Sequence, residues 1–222
     1  MSGTLFSYLV NFKNAPIAKN SRTAAIIATG PSFVDIPLSF IGHHVHIIAV
    51  KEAIFHLPRA NSWITVDANR RCRTTQMALH LRKPGTQYYA AVPRDYGLPN
   101  AVREAHRLPP EPFIHYLERI DGSGLSENRS QIVTGNSAFA ALGLAYHMGF
   151  SRIGIFGVDA TQDRYGTGYS GRPRGDLAKL HDLFASAVPQ LENRGIQIKN
   201  SGRLRTWPTE RAGGIIEWLN AG

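Results

Sequence analysis

Seven short runs of mostly apolar, often β-branched residues recur along the chain, at 24–28, 45–50, 63–66, 87–92, 131–134, 152–157 and 196–199. They are apolar at successive rather than alternate positions, so they fit strands covered on both faces, as in a parallel sheet between two layers of helices. A turn and a helix-compatible stretch follow most of them. The pattern predicts an α/β fold with a doubly wound, mostly parallel sheet. At 222 residues the chain suits one domain with a sizeable core, expected over 23–222 after a polar arm over 1–22 that carries Lys13, Pro16, Lys19 and Arg22.

Two helices stand out. Residues 137–148 are apolar nearly all round, with the small residues Ala138, Ala140, Ala141, Gly143 and Ala145, which predicts a buried helix packed close against the sheet. Over 177–191 the apolar positions Leu177, Leu180, Phe184, Val188 and Leu191 step by three and four, Gly195 offers a stop, and Pro189 is expected to kink or break the last turn. Pro99, Pro109, Pro110 and Pro112 mark 98–127 as a lid or connecting segment. The apolar Ile215, Ile216, Trp218 and Leu219 close the domain or pack in a dimer, and the oligomeric state stays open.

Composition excludes several classes. A single cysteine allows no intramolecular disulfide and no cysteine-rich zinc site, and fits a reducing compartment. No run of about 18 apolar residues is long enough for a membrane span, and no basic stretch leads into an apolar one at the N-terminus. A soluble cytoplasmic protein is expected. Lys and Arg number 25 against 16 Asp and Glu, a net charge of +9 that attracts phosphorylated ligands or polyanions, nucleic acid among them. The charge is clustered. Arg70, Arg71, Arg73, Arg82, Lys83 and Arg94 share an acid-free stretch over 68–94, and Arg194, Lys199, Arg203, Arg205 and Arg211 face only Glu210 over 194–211. Cys72, among Arg70, Arg71 and Arg73, would have a lowered pKa if exposed.

In such sheets ligands bind beyond the carboxyl ends of the strands, so the residues just after each run carry the argument. After the first stands Thr29-Gly30-Pro31-Ser32-Phe33, where Gly30 allows close backbone approach, Pro31 suits a first helical turn, and Ser32 with the free amides could hold a phosphate. After the second stands Lys51, able to neutralise a ligand phosphate or to pair with Glu52. Asp67 and Asp159 follow the third and the sixth. They could hold Mg²⁺, accept hydrogen bonds from a ribose or acceptor hydroxyl, or simply cap turns. Thr134-Gly135-Asn136-Ser137 leads into the buried helix, with Asn136 or Ser137 as N-cap and free amides for a phosphate or carboxylate. His43, His44 and His46 lack companions at metal spacing. His181 falls between core positions and could serve as a general base, although it reads first as a surface residue.

Together these motifs resemble a superfamily. Residues 28–33, then Ile64-Thr65-Val66-Asp67, then Thr134-Gly135-Asn136-Ser137 running through Gly149-Phe150 into Arg152-Ile153-Gly154-Ile155-Phe156-Gly157-Val158-Asp159, are similar to archaeal 6-hydroxymethylpterin diphosphokinases and, more distantly, bacterial family 42 sialyltransferases. The compact basic chain looks most like their short phage-encoded relatives. The resemblance implies a Rossmann-like nucleotide-binding transferase domain, with Gly30, Pro31, Ser32, Lys51, Thr134, Gly135, Asn136 and Ser137 around the nucleotide and Asp67 and Asp159 at the reaction centre. The sialyltransferases carry an asparagine near Lys51 and a catalytic histidine near 172–175, where this chain has none. Lys51 and the loop 164–174, with Arg172 and Arg174, suit a more highly phosphorylated donor or an anionic acceptor instead.

The expected function is therefore nucleotide-dependent transfer. Glycosyl transfer from a nucleotide-sugar to a hydroxyl acceptor is preferred, the acceptor being anionic, modified DNA included. The alternatives are Mg²⁺-dependent pyrophosphoryl transfer from ATP to a hydroxymethyl compound, and a non-catalytic nucleotide- or nucleic-acid-binding module.

Overall fold

A computed structural model describes residues 11–18, 22–68, 72–94, 111–133, 136–160 and 179–222. Among them eight strands form one sheet in which every pairing is parallel: β1 (Thr23–Ile27), β2 (His46–Val50), β3 (Ser62–Thr65), β4 (Gln87–Val92), β5 (Ile114–Ile120), β6 (Gln131–Val133), β7 (Arg152–Phe156) and β8 (Gln197–Asn200). The order across the sheet is β6-β5-β4-β3-β2-β1-β7-β8. Chain order runs outward from β1 to β6, then returns to place β7 on the other side of β1. The direction of winding reverses between β1 and β7, and a crevice opens at such a switch point.

Alternation along the strands divides the core in two. Ala24, Ile26, Ile48, Val50, Ile64, Ile153 and Ile155 face a layer that includes α3 (Ser137–Met148), α4 (Lys179–Ala185) and α5 (Val188–Asn193). Ala25, Ile27, Ile47, Ala49, Trp63 and Phe156 face the opposite layer with α1 (Ala53–His56), α2 (Arg73–His80) and α6 (Ala212–Asn220). All twelve residues of α3 are buried, as its apolar circumference requires, and it lies against β1, β2, β3 and β6. Ile215, Ile216 and Leu219 of α6 close the other face over β1, β7 and β8.

Two expectations need correction. The segment 98–127, read as a lid or connector, contributes β5 to the sheet interior between β4 and β6. Its charged residues hid it: Glu118 is only 8 % exposed, and the fold accommodates it because Arg94 Nε and Gln131 Nε2 donate to its carboxylate at 2.6 and 3.0 Å. The single helix expected over 177–191 is two, α4 and α5, with the break at Ser186 and Ala187. Pro189 sits in the first turn of α5, where its missing N–H costs nothing.

Candidate functional site

The carboxyl ends of β1, β2, β3 and β7 and the start of α3 enclose a cleft. Its walls include Thr29 and Gly30 after β1, Lys51 and Glu52 after β2, Val66 and Asp67 after β3, Gly157 to Ala160 after β7, and Asn136 to Ala138 at the head of α3. Leu180 of α4 completes it. Asp67, Asp159, Gly30, Lys51, Asn136 and Ser137, widely separated in sequence, are thus brought to one place.

On the β2–β3 side the register Val50↔Ile64 sets Lys51 beside the turn that carries Asp67. Lys51 Nζ donates to Asp67 Oδ2 at 2.8 Å, so its partner is Asp67 and not the adjacent Glu52. Burial lowers the Lys51 pKa, but the Asp67 carboxylate, helped by Cys72 and Glu52, outweighs it and leaves the ammonium above its ordinary value. The side chain is charged throughout the neutral range. The Lys51 backbone is left-handed, φ 49°, unusual for a residue with a long side chain. The buried Trp63 holds it there: its Nε1–H donates to the Lys51 carbonyl at 2.8 Å.

On the β1–β7 side Asp159 is 3 % exposed. Its Oδ2 accepts the Ser32 amide at 2.8 Å. Its Oδ1 and the Ser32 hydroxyl are both buried and have no hydrogen-bond partner among the described residues. Gly30 is needed here for a reason other than the expected approach of a ligand. A Cβ at Gly30 would collide with the Asp159 carboxylate and stand 2.6 Å from the Gly157 carbonyl. The amide of Ser32, assigned from sequence to a phosphate, already serves Asp159. Pro31 opens the short 3₁₀ turn Pro31–Asp35 that presents this amide.

At the head of α3, Asn136 is the N-cap, its Oδ1 accepting the amides of Ala138 at 2.8 Å and Phe139 at 3.2 Å. Ser137 is buried and its Oγ accepts the Val66 amide at 3.2 Å, so it pins the end of β3 to α3. No group of three His, Cys, Asp or Glu side chains among the described residues could hold a metal ion. Asp67 and Asp159 each face this cleft with one internal donor already in place. Thr134, Gly135, Arg70, Arg71, Arg172 and Arg174 lie outside the described residues.

The structure sorts the basic clusters. Arg94 pairs with Glu118, and the Arg82 guanidinium lies 4.3 Å from the Phe113 ring centroid. Lys83 donates to the Leu57 carbonyl, and Arg194 pairs with Glu127 while stacking 3.9 Å over Tyr146. Lys199 pairs with Glu210 at 2.8 Å. Arg203, Arg205 and Arg211, beyond β8, are exposed, and Arg73 opens α2; all four lie past carboxyl ends of strands. His181 is anchored as well: its Nδ1 accepts the Arg205 amide at 3.2 Å.

Trp63 and Asn200 escaped the sequence reading. Trp63 belongs to an apolar strand run and carries no motif, and only the register shows its indole N–H reaching the cleft wall. Asn200 ends β8 fully buried, an unusual place for an amide, and its side chain shapes the turn that follows.

Fold and site together define a Rossmann-like α/β protein with a cleft at the switch point of its parallel sheet. No protein-family model matches the chain, and no curated protein matches it significantly. Solved structures do share its fold. The MAf glycosyltransferase from Magnetospirillum magneticum AMB-1 superposes with a TM-score of 0.55 at 11% identity, over 95% of this chain and 38% of that one. The sialyltransferase CstII from Campylobacter jejuni, in complex with cytidine-5'-monophosphate, gives 0.51 at 13% identity over 82% of this chain and 81% of its own. A second CST-II structure, with trisaccharide acceptor and CMP, gives 0.50 at 13% identity over 80% of each chain. At these identities the likeness is one of fold. No helix among the described residues is long and apolar enough to cross a membrane.

Proposed function

We propose that the chain is a glycosyltransferase that takes its donor as a nucleotide-sugar and transfers to a hydroxyl acceptor. The observation that carries this reading is the cleft itself. It sets a charged lysine, a buried carboxylate with one oxygen that has no partner among the described residues, and a capped helix start at the switch point of a fold shared with two glycosyltransferases. Such enzymes must stabilise a leaving nucleotide phosphate and accept a proton from the attacking hydroxyl. Lys51 supplies the cation for the first task. Asp159 Oδ1, with no donor among the described residues, accepts a ligand hydroxyl, and Asp67, half-buried just beyond β3, takes the acceptor's proton while Lys51 orients it. Asn136, at the head of α3, flanks the donor phosphates. Lys51 stands near the place of an asparagine in the sialyltransferases, which favours a donor with more phosphate charge than a CMP-sugar carries.

Pyrophosphoryl transfer through Mg²⁺ would call on the same two aspartates. The Lys51–Asp67 ion pair favours glycosyl transfer, because a metal on Asp67 would have to displace or repel the ammonium. A cytoplasmic, phage-encoded enzyme is the setting that the sequence resemblance suggests.

A thermal-shift panel of CMP, UDP, GDP and ATP with their sugar conjugates, with and without Mg²⁺, tests the reading. A ligand at about 100 times its Kd adds roughly 2.7 kcal/mol, enough to move the midpoint by several degrees. A metal-independent shift by one nucleotide-sugar, followed by turnover of that donor, is the expected result. A shift by ATP with Mg²⁺ alone would select pyrophosphoryl transfer, and no shift at all would overturn both.

A further inference from the structure

The layer that carries α1, α2 and α6 turns part of its apolar surface outward. Phe33, Ile36, Ile41, Ile54, Ala78 and Ile215 are buried against the strands. Val34, Phe40, Met77 and Leu81 belong to the same layer and are exposed. Val34 lies in the 3₁₀ turn Pro31–Asp35, Phe40 in a second such turn, Leu38–Phe40, Met77 in α2 and Leu81 at its C-cap. Phe40 is 70 % exposed and Leu81 57 %. Five large apolar side chains are exposed among the described residues, and only Ile17 lies elsewhere. Single exposed apolar residues are ordinary, whereas their gathering on one of two layers calls for a reason.

Helical spacing joins two of them to charge. Thr75 and Ala78 form the buried side of α2, while Arg73, Met77 and Leu81, four residues apart, share its outer side. The Leu81 amide bonds to the Met77 carbonyl at 2.8 Å, so the stripe continues through the cap. Arg73 is exposed and makes no hydrogen bond or ion pair among the described residues. Arg82, also exposed, lies 4.3 Å over the Phe113 ring, a cation–π contact that gives its N–H donors no acceptor oxygen. From 53 to 94 the sequence holds one acid, Asp67, which lines the cleft and pairs with Lys51. The exposed acids of this layer, Asp35 and Glu217, belong to the first 3₁₀ turn and to α6.

We propose that the outer surface of this layer docks on an anionic lipid bilayer, with Val34, Phe40, Met77 and Leu81 entering the interface and Arg73 and Arg82 set against lipid phosphates. A bilayer is flat and fluid, so it accepts apolar side chains spread over several short elements. A folded partner needs one closely packed patch instead. Charge argues against a second copy, since each chain carries +9 and two α2 faces would oppose arginines with no carboxylate between them. A nucleic acid would use the arginines but give Val34, Met77 and Leu81 nothing apolar to bury against. The chain would lie on the membrane, as no helix among the described residues can cross it. None of this depends on the glycosyl-transfer reading of the cleft.

The test is co-sedimentation of the full chain with two sets of vesicles, phosphatidylcholine alone and equal parts of phosphatidylcholine and phosphatidylglycerol. Wild type is compared with Met77→Ser/Leu81→Ser, Val34→Ser/Phe40→Ser and Arg73→Gln/Arg82→Gln. Lys179→Gln/Arg205→Gln removes the same charge from exposed positions outside this layer. Melting curves check that all four variants stay folded, and any that does not is replaced by its single substitutions. The wild type should bind the mixed vesicles at least tenfold more tightly than the neutral ones. Each serine pair should weaken that binding at least fivefold at unchanged net charge, and Arg73→Gln/Arg82→Gln should weaken it more than the charge control does. Failure of the wild type to bind the mixed vesicles overturns the proposal. Serine pairs that bind like wild type, or a control that loses as much as Arg73→Gln/Arg82→Gln, overturn it too, since the +9 charge alone would then explain the attraction. A dimer in sedimentation velocity that Met77→Ser/Leu81→Ser abolishes would give this face to a second copy. Tighter binding of a single-stranded oligonucleotide, lost in the glutamine pair and intact in both serine pairs, would give it to nucleic acid. The nucleotide panel bears on the cleft alone, so either reading can fail without the other.

Discussion

The amide of Ser32 donates a 2.8 Å hydrogen bond to Oδ2 of Asp159, joining the first strand-end turn to the last one that lines the cleft across 127 residues of sequence. The bond closes the β1–β7 switch point from both sides and leaves Asp159 Oδ1 buried with no hydrogen-bond partner among the described residues. Gly30 is the residue that makes room for it.

That arrangement separates charge from shape. Asp159→Asn keeps an oxygen for the Ser32 amide, so its melting temperature should stay within a few degrees of wild type while donor turnover falls at least a hundredfold. Gly30→Ala should act in the opposite order. Its methyl meets the Asp159 carboxylate and the Gly157 carbonyl, and overpacking of this kind costs about 1–3 kcal/mol. Urea unfolding of both variants, beside a turnover assay, checks the contrast. A Gly30→Ala protein as stable as wild type would show that the turn is looser than described.

The Lys51–Asp67 pair gives stability a dependence on alkaline pH. The folded Lys51 pKa lies above its unfolded value, so its contribution is fully present below about 10.5 and is lost as pH rises through the folded pKa. Tyr89, Tyr116 and Tyr146, pushed up to about 12 chiefly by burial, act in the same direction, since folding disfavours their ionised forms above pH 10. Lys51→Met isolates the pair. Its unfolding free energy should fall less steeply than that of wild type in urea melts taken from about pH 9 to about pH 11, a range that brackets the ordinary lysine pKa. Parallel slopes would remove the ion pair from the account.

Much of this was legible in the sequence because buried parallel strands are written as apolar runs. The run at 45–50 contains β2, and 152–157 contains β7 with Asp159 just beyond it. What stayed hidden was held by distant partners. β5 carries Glu118, which reads as a surface residue until Arg94 and Gln131 are seen around it. Lys51 has Glu52 beside it, and only the pairing of β2 with β3 shows that Asp67 is its partner. Charge counts mislead in a similar way. The stretch 68–94 reads as a uniform basic face, whereas Arg94 and Lys83 engage specific internal acceptors and Arg73 stands at the cleft end of the sheet.

At acid pH the sensitive group is His46. Burial, with the Arg59 charge adding to it, lowers its pKa to about 4, and its Nε2 bonds to Ser62 Oγ at 2.9 Å. A base whose folded pKa is depressed binds fewer protons folded than unfolded, so stability present above about pH 6.5 is lost as pH falls toward 4. The shift corresponds to roughly 3 kcal/mol at most. His46→Gln, which can still bond Ser62, should flatten the decline between pH 6.5 and 4 in urea melts. His147 and His115, whose pKa values burial also lowers, retain a smaller slope. An unchanged decline would move the acid sensitivity away from the start of β2.

The last prediction concerns Trp63, whose indole N–H holds the carbonyl of a left-handed Lys51. Trp63→Phe preserves most of the buried ring volume and removes one donor. Loss of a bond to a buried acceptor costs on the order of 1–3 kcal/mol, and the released strain at φ 49° lets Lys51 relax toward a commoner backbone conformation. The ammonium would then no longer be aimed at Asp67 from the cleft wall. Phosphate-bearing ligands should feel this and uncharged ones should not. Affinity for any nucleoside diphosphate that raises the midpoint in the thermal-shift panel should therefore drop about tenfold in Trp63→Phe, with affinity for the matching nucleoside unchanged. Lys51→Gly in the wild-type background should lose the diphosphate affinity as well, since the charge is gone, and should leave nucleoside affinity unchanged. Equal losses for nucleoside and diphosphate would mean that Trp63 supports the strand and not the lysine.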